Sequence, residues 1–283
     1  MTDALGPQLR LAPGPVDLTA VPTDATPGHD GDKEQAQAEL ARLGADLADL
    51  QERLFAESRS GGTRAVLLVL QGMDTSGKGG VIRQTIGLVD PQGVHITAFK
   101  APTEEERAHD FLWRIRRALP APGRIGVFDR SHYEDVLIAR VRGLAEPEVV
   151  EARYDQINAF EAEVAAAGTR LVKVMLHVGP QTQKERLLER LDRPDKHWKF
   201  NPGDIDERQR WSEYRRAYEI ALERTSTEVA PWHVVPADRK WYRNLAVARL
   251  LHEALLDLDP RWPVADFDVA EQRRRLETED PIA

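Results

Sequence analysis

The chain of 283 residues contains no cysteine. Disulfide frameworks, thiolate metal sites and cysteine nucleophiles are therefore excluded. The longest unbroken apolar run, Ala65–Leu70, has six residues, whereas a membrane-spanning helix needs roughly 20. The N-terminal residues also lack the basic region and apolar stretch of a secretory signal. These absences predict a soluble, cytoplasmic protein with no membrane partner.

The net charge of −8 is unevenly distributed along the chain. Residues 1–58 carry 11 acidic and 4 basic side chains, and residues 259–283 carry 7 acidic and 4 basic ones. The central residues 59–258 are left with 31 basic and 29 acidic side chains. A mildly cationic centre suits a small anionic ligand better than a nucleic acid, which requires a strongly basic face. We therefore expect no nucleic-acid partner.

Composition divides the chain into three parts. Residues 1–33 hold five prolines and four glycines, which predicts a loosely ordered N-terminal arm. Between Glu34 and Ser58, leucines recur at steps of three and four residues, the pattern of an amphipathic helix. We expect one domain over residues 34–258 and an acidic C-terminal tail over residues 259–283.

Within the domain, apolar strands alternate with helical patterns. Arg64–Leu70 is wholly apolar after its first residue, as in a strand buried on both faces of a parallel sheet. Further strands are expected at Val94–Phe99, Arg124–Phe128, Arg170–Val178 and Trp232–Val235. Helices are expected from Lys78 to about Leu88 and at Glu104–Leu119, Pro147–Ala167, Gln181–Leu191, Asp206–Thr227 and Lys240–Leu258. This alternation predicts a three-layer α/β/α fold around a mostly parallel five-stranded sheet.

The segment Gly72–Lys78, GMDTSGK, fits the phosphate-binding pattern G-x-x-x-x-G-K between a buried strand and a helix. Backbone N–H groups of such a loop and the helix N-terminus attract phosphate. The alternative is an ordinary strand–helix turn. Gly79 stands where a Ser or Thr usually supplies a hydroxyl to Mg²⁺. The candidate phosphate-binding residues are Gly72, Thr75, Ser76, Gly77, Lys78 and Gly79.

Two aspartates are candidate ligands for a Mg²⁺ cofactor. Asp74 lies inside the loop, where its carboxylate would repel phosphate unless a divalent cation lay between them. Asp129 directly follows the third predicted strand, at the sheet edge where ligands bind, and resembles a Walker-B aspartate. The alternatives are that Asp74 bonds loop amides and that Asp129 caps a helix. Arg130 is expected to bind phosphate through its planar fork, or else to form a surface ion pair.

A basic segment follows the fourth predicted strand. Its candidate phosphate-binding residues are Arg186, Arg190, Arg193, Lys196 and Lys199, with Lys100 and Arg114 as further candidates. We expect residues 181–206 to form a helical lid that neutralises charge and excludes water. The alternative is a solvated helix end. His132 is interpreted as a hydrogen-bonding pocket residue rather than a phosphoryl acceptor.

Five segments resemble the polyphosphate kinase 2 family over residues 36–258: GMDTSGKGG, AFKAPTEEERAHDFLWR, FDRSHYEDVL, RPDKHWKFNPGDIDER and APWHVVPADRKWYRNLA. The resemblance implies a P-loop kinase fold similar to thymidylate kinase. It also implies reversible phosphoryl transfer between inorganic polyphosphate and nucleotides with Mg²⁺, and assembly as a homodimer or homotetramer. On the same basis, Asp74, Lys78, Asp129 and Arg130 match the catalytic positions of the family.

The nucleotide acceptor remains open between two subgroups. The segments FDRSHYEDVL and KHWKFNPGDIDER resemble enzymes that accept both AMP and ADP, whereas Asp129 is associated with the subgroup that uses diphosphates alone. Two other functions are compatible with the loop. One is an ATP-dependent nucleotide kinase of the same fold, and the other is a non-catalytic sensor of polyphosphate or nucleotide.

Overall fold

The computed structural model describes residues 4–12 and 14–279. Residues 1–3 and 13 of the predicted arm, and residues 280–283 of the predicted tail, lie outside the described residues. Among the described helices, none is both long and apolar enough to cross a bilayer.

The centre of the fold is a parallel sheet with the strand order β2-β3-β1-β4-β5. Its strands are β1 (Ala65–Gln71), β2 (Val94–Ala98), β3 (Ile125–Asp129), β4 (Thr169–His177) and β5 (Trp232–Pro236). The register places Leu70 opposite Asp129 on one side and opposite Val174 on the other. The carboxyl ends of the three central strands therefore meet at one edge.

Helices cover both faces of the sheet. In chain order they are α1 (Gly6–Leu9), α2 (Lys33–Arg59), α3 (Lys78–Gln84), α4 (Glu104–Arg107), α5 (Trp113–Arg117), α6 (Ile138–Arg142), α7 (Pro147–Ala166), α8 (Pro180–Asp192), α9 (Gly203–Gln209), α10 (Trp211–Thr225), α11 (Lys240–Leu258) and α12 (Val269–Thr278). Alternate residues of the fully buried β1 enter two separate cores. Leu68 packs with α2 and α11, and Leu67 packs with α7 and α10. The predicted three-layer α/β fold is confirmed.

Two of the predicted helices are wrong. The helix expected over Glu104–Leu119 is interrupted, because the Asp110 carboxylate accepts a hydrogen bond from the Leu112 N–H at 3.0 Å. Such local bonds compete with helix formation. The helix expected over Asp206–Thr227 is divided at Arg210 into α9 and α10.

Beyond α8, the predicted lid contains a 3₁₀ turn at Pro194–Lys199 and the start of α9. The Asn201 side-chain oxygen accepts a hydrogen bond from the Gly203 N–H at 3.0 Å, and Pro202 suits a helix start because its missing N–H would have no helical partner. The lid region is therefore largely helical.

The described part of the N-terminal segment contacts the domain at several points. Leu5, Leu9 and Leu18 are buried, and the backbone N–H groups of Leu5 and Gly6 donate to the Glu253 carboxylate at 2.6 and 2.8 Å. The described part of the C-terminal tail contains α12, which has no buried residue. The boundaries of arm, domain and tail stay predictions.

Candidate active site

The loop from Gly72 to Gly77 joins β1 to α3. Gly72 and Gly77 have φ values of 149° and 110°, which residues with a Cβ rarely adopt. A Cβ on Gly72 would lie 2.7 Å from the Leu176 carbonyl oxygen, and one on Gly77 would overlap the Arg243 guanidinium. Both loop glycines are therefore required by conformation and by space. Gly79, the position of the missing hydroxyl, has open space around it.

Lys78 is the first residue of α3 and is buried. Its Nζ donates to the Gly72 carbonyl at 2.8 Å, across the mouth of the loop. Burial lowers the pKa of Lys78, and the neighbouring Arg130 lowers it further, while Asp74 and Asp129 oppose the shift. The ammonium group thus lies among the predicted catalytic charges.

Two buried arginines hold the outer side of the same loop. Arg186 on α8 donates to the carbonyls of Thr75 and Ser76 at 2.8 and 3.3 Å. Arg243 on α11 donates to the Ser76 carbonyl at 3.2 Å. Burial, with a contribution from Arg186, lowers the pKa of Arg243 to about 10. Sequence reasoning identified Arg186 but missed Arg243, which is 167 positions from Ser76 and has no local spacing to reveal it.

Arg130 follows β3 with a φ of 65°, an uncommon value for a residue with a side chain. Its guanidinium donates to Asp74 Oδ1 at 2.9 Å and lies 3.7 Å from Glu134 Oε2. Burial raises the pKa of Glu134, while Arg130 and Lys78 oppose the rise. Glu134 was not among the candidate site residues, so sequence reasoning missed its place beside Arg130. The structure brings Asp74, Lys78 and Arg130 close together.

The contacts of Asp74 and Asp129 favour neither loop-amide bonding by Asp74 nor helix capping by Asp129. The Asp74 carboxylate pairs with Arg130 rather than with loop amides among the described hydrogen bonds. The 3₁₀ turn at His132–Asp135 is capped by Ser131, not by Asp129. Both aspartates line the cavity that contains Lys78.

That cavity, here called the cationic trough, has a volume of about 710 Å³. Its basic residues are Lys33, Lys78, Arg83, Arg130, Arg186, Arg190, Arg193, Lys196, Lys199, Lys240 and Arg243. Its acidic residues are Asp74, Asp129 and Glu189. The excess of cations suits a long, highly charged anion.

The lid cations keep partners within the lid while lining the trough. Arg190 donates to the Lys199 carbonyl at 3.0 Å and pairs with Asp204 at 3.2 Å. Arg193 and Lys196 both pair with Asp195, at 2.9 and 3.3 Å.

A second cavity of about 660 Å³, here called the aromatic cavity, adjoins the trough at Arg130. Phe99, His109 and Phe111 line it, together with Lys100 and Arg114. Arg114 is buried and donates to the Lys100 carbonyl at 2.9 Å. The two further phosphate-binding candidates thus lie in this cavity and not in the trough.

A third cavity of about 360 Å³, here called the lid cavity, also reaches Arg130. It lies between the loop and the lid and is lined by Asp74, Glu134, Asp204 and Tyr218, among others. The Tyr218 hydroxyl accepts a hydrogen bond from the Gly72 N–H at 3.1 Å. Arg130 is therefore the common wall of all three cavities.

His132 lies in the core. Its side chain is fully buried, and its Nε2 is 3.2 Å from Glu161 Oε1. This contact agrees with the hydrogen-bonding interpretation rather than with a phosphoryl acceptor, although His132 lines none of the three cavities.

The residues at the trough fit a divalent metal that binds together with phosphate. Within residues 4–12 and 14–279, no group of three or more His, Asp or Glu could hold a metal alone. Mg²⁺ commonly uses one or two carboxylates and completes its shell with water and substrate phosphates. Asp74 and Asp129 supply the two carboxylates beside the loop.

A phosphate-binding loop at the end of the central strand, an aspartate at the neighbouring strand edge and a basic helical lid define a P-loop kinase. The chain belongs to one family of this class, because residues 30–261 match the family described as polyphosphate kinase 2. It is a polyphosphate–nucleotide phosphotransferase, as the resemblance implies. Kinases of this family generally require a divalent metal.

Similar proteins agree over nearly the whole chain. An AMP/ADP-polyphosphate phosphotransferase from Meiothermus ruber is 44% identical over 255 residues, with 90% of this chain and 94% of that protein covered. An ADP-polyphosphate phosphotransferase from Rhodopseudomonas palustris is 42% identical, with coverages of 90% and 91%. The crystal structure of polyphosphate kinase 2 from Arthrobacter aurescens TC1 superposes with a TM-score of 0.96 at 51% identity, with 98% of each chain covered.

Proposed function

We propose that this enzyme transfers the terminal phosphoryl group of inorganic polyphosphate to both AMP and ADP, reversibly and with Mg²⁺. The observation that carries the proposal is the meeting of the cationic trough and the aromatic cavity at Arg130. The name of the Meiothermus ruber relative supports the pair of acceptors. The proposed enzyme acts in the cytoplasm as a homodimer or homotetramer. Light scattering on the purified protein would test the oligomeric state.

Polyphosphate occupies the trough in this proposal. Lys78 and Arg130 line it together with the lid residues Arg190, Arg193 and Lys199. Each can form charge-assisted hydrogen bonds with phosphate oxygens. Arg186 has its guanidinium bonded to backbone carbonyls, so it contributes mainly charge and support for the loop.

The nucleotide occupies the aromatic cavity. Rings such as Phe99 and Phe111 can pack against a base, while Lys100 and Arg114 bring positive charge to the nucleotide phosphates. Because this cavity opens onto Arg130, the nucleotide's terminal phosphate would face the end of the polyphosphate chain.

Transfer forms a bond from a phosphate oxygen of the nucleotide to the terminal phosphorus and breaks the bridging P–O bond, so that a shortened chain leaves. Asp74 and Asp129 would hold Mg²⁺, which neutralises phosphate charge when bound. Lys78 and Arg130 orient the two substrates and stabilise charge on the transferred group. The nucleotide phosphate oxygens are largely ionised at neutral pH, so no strong base is needed.

The test is an assay with Mg²⁺ and long-chain polyphosphate in which AMP and ADP are offered separately and products are separated by chromatography. We expect ATP from ADP, and ADP followed by ATP from AMP. Product from ADP alone would limit the acceptor to diphosphates. The ATP-dependent alternative is tested by offering ATP with a second nucleotide and no polyphosphate. Phosphoryl transfer from ATP to that nucleotide would support the alternative.

A Lys78→Ala variant tests the loop in the same assay. We expect it to fold but to lose about 10²–10³-fold in turnover, because one positioned charge at the transferred group is removed. Turnover near that of the wild type would refute the role of Lys78. A wild-type protein inactive with both acceptors would refute the proposed function.

A further inference from the structure

A buried polar cluster lies directly beneath the segment that carries Arg130 and Glu134. We call it the anchor cluster and define it as Glu161, Lys173, His132, Tyr133 and Thr225. All five side chains have 0% exposure. The cluster lines none of the three cavities, so it has no direct part in the phosphoryl transfer described above.

The hydrogen bonds of the cluster centre on one ion pair. Lys173 Nζ donates to Glu161 Oε2 at 2.6 Å, to the Tyr133 hydroxyl at 2.8 Å and to the Thr225 carbonyl at 2.7 Å. The Tyr133 hydroxyl in turn donates to Glu161 Oε1 at 2.7 Å. His132 Nε2 lies 3.2 Å from the same oxygen. The ion pair is therefore bonded to both residues of the His132–Tyr133 dipeptide.

Stability alone is a weak explanation for this arrangement. Removing two charges from water costs several kcal/mol per ion, and replacing a buried pair with apolar residues is often neutral or stabilising. A buried pair can instead select one conformation among several.

The side chains of the segment after β3 face either the core or the cavities. His132 and Tyr133 point into the core, whereas Arg130 and Glu134, on either side of them, line the cavities. Arg130 has a φ of 65°, and residues in such conformations persist only when the surrounding structure holds them. Holding the dipeptide fixes where the residues on both sides of it point.

The cluster also connects the elements around the site. Glu161 lies on α7, Lys173 on β4, and Thr225 is the last residue of α10. Earlier turns of α10 carry Tyr218, which bonds the phosphate-binding loop. The segment after β3 and the phosphate-binding loop are therefore both fixed to the same set of packed elements.

We propose that the Glu161–Lys173 pair positions the active site by anchoring His132 and Tyr133, so that Arg130 and Glu134 stay directed into the cavities. Both members of the pair are positioning residues, since they act through Arg130 and Glu134 and touch no substrate. The proposal rests on the proposed function only for the role of Arg130 in phosphoryl transfer.

The main test is the double variant Glu161→Leu with Lys173→Met, which removes both charges at similar volume. We expect it to fold, with turnover reduced about 10–100-fold. The KM for polyphosphate should change less than about threefold, because the other basic residues of the trough are untouched. In an Arg130→Ala background the same double change should add less than about threefold. A folded double variant with wild-type turnover would overturn the proposal.

Ile157→Val, one turn from Glu161 on α7 and also fully buried, is the matched control. It disturbs the same core without touching the ion pair, so its turnover should equal that of the wild type. An equal loss of turnover in Ile157→Val would show that any disturbance of this core has the same effect, which would also overturn the proposal.

Two further measurements cover other outcomes. If the double variant does not fold, Tyr133→Phe decides, because it removes only the hydroxyl. We expect turnover to fall about 3–10-fold, and an unchanged value refutes the proposal.

Hydrogen exchange gives a test that is independent of activity. Amides of residues 130–135 should exchange faster in the double variant while those of α11 do not, and unchanged exchange at 130–135 would contradict the anchor even if the proposed function failed.

Discussion

At the scale of single residues, the site keeps positive charge where few carboxylates can neutralise it. Arg243 is buried, and its guanidinium is bonded to the Ser76 carbonyl and to the Asn244 side-chain oxygen. Although its pKa falls to about 10, it stays cationic at neutral pH. The guanidinium therefore supports the loop and adds to the potential of the trough at the same time.

Arg243→Met should reduce kcat/KM for polyphosphate about 10–100-fold. A hydrogen bond from a charged group contributes about 1.5–3 kcal/mol, and the loop carbonyl would lose that donor. Arg243→Lys should recover part of the loss, since it restores the charge but not the planar fork. Steady-state kinetics and thermal unfolding of both variants give the measurement.

The control for this pair of variants is Arg170→Met. Arg170 lies near the N-terminal end of β4, at the edge of the sheet opposite to the phosphate-binding loop. It pairs with Asp257 on the surface, so its loss should leave kcat/KM unchanged. If a folded Arg243→Met retains the wild-type kcat/KM, Arg243 has no role in the loop.

Sequence reasoning found the residues that the structure places around the phosphate-binding loop where they are encoded locally. Lys78 and Asp74 belong to one short motif, and Asp129 and Arg130 follow directly from the end of a strand. Arg243 and Glu134 were missed for a different reason. Arg243 reaches the loop only through the packing of α11, and Glu134 turns into the site because its neighbours turn into the core, so neither contact has a signal in local spacing.

At the scale of elements, the loop between β1 and α3 depends on glycine at defined points. Gly77 is the N-terminal cap of α3 with a φ of 110°, and the Arg243 guanidinium packs against the face where a Cβ would lie. The loop, the start of α3 and α11 are therefore fitted to one another.

Gly77→Ala should reduce turnover at least about 100-fold and lower the unfolding temperature. The change strains the backbone by of order 1–3 kcal/mol and displaces Arg243 from the loop. Gly87→Ala is the matched control, since a Cβ there meets no atom within 4 Å and its φ is not positive. Turnover assays with thermal unfolding of both variants test this, and equal behaviour of the two would refute the requirement at Gly77.

Element boundaries show the same division between local and tertiary causes. The sequence predicted α11 at its observed bounds, because a long apolar periodicity ends at Leu258. It did not predict the break at residues 108–112 or the one at Arg210. The first depends on one side-chain cap from Asp110. At the second, Arg210 donates to the Val141 carbonyl of α6 at 2.9 Å, a tertiary contact that periodicity does not report.

At the scale of the whole molecule, the order of strands in the sheet creates the site. Because β1 lies between β3 and β4, the loop after β1 and the arginine after β3 meet at one edge. The fold class could be predicted from the alternation of elements alone. The division into three cavities around Arg130 could not, because it depends on how α6, α8 and α10 pack above that edge.

The whole molecule should also lose stability below neutral pH through one partly buried histidine. His233 on β5 has its Nδ1 3.2 Å from the Lys173 carbonyl oxygen, and burial lowers its pKa to about 4, with Arg10 and Arg170 adding to the shift. The ordinary pKa of about 6.5 applies in the unfolded chain, so the unfolded state takes up the proton first. The stabilisation is therefore complete above about pH 6.5 and is lost as the pH falls to about 4.

The measurement is the free energy of urea unfolding between pH 7.5 and 4.5 for the wild type and for His233→Gln. Carboxylates titrate in both proteins and cancel in the difference, which isolates His233. Between pH 7.5 and 4.5 a shift of this size changes the free energy of unfolding by about 2–3 kcal/mol. The free energy should therefore fall more steeply in the wild type, and the difference between the two proteins should change by about that amount. A difference independent of pH would show that His233 does not titrate in this range, and would leave the acid sensitivity of the fold to other groups.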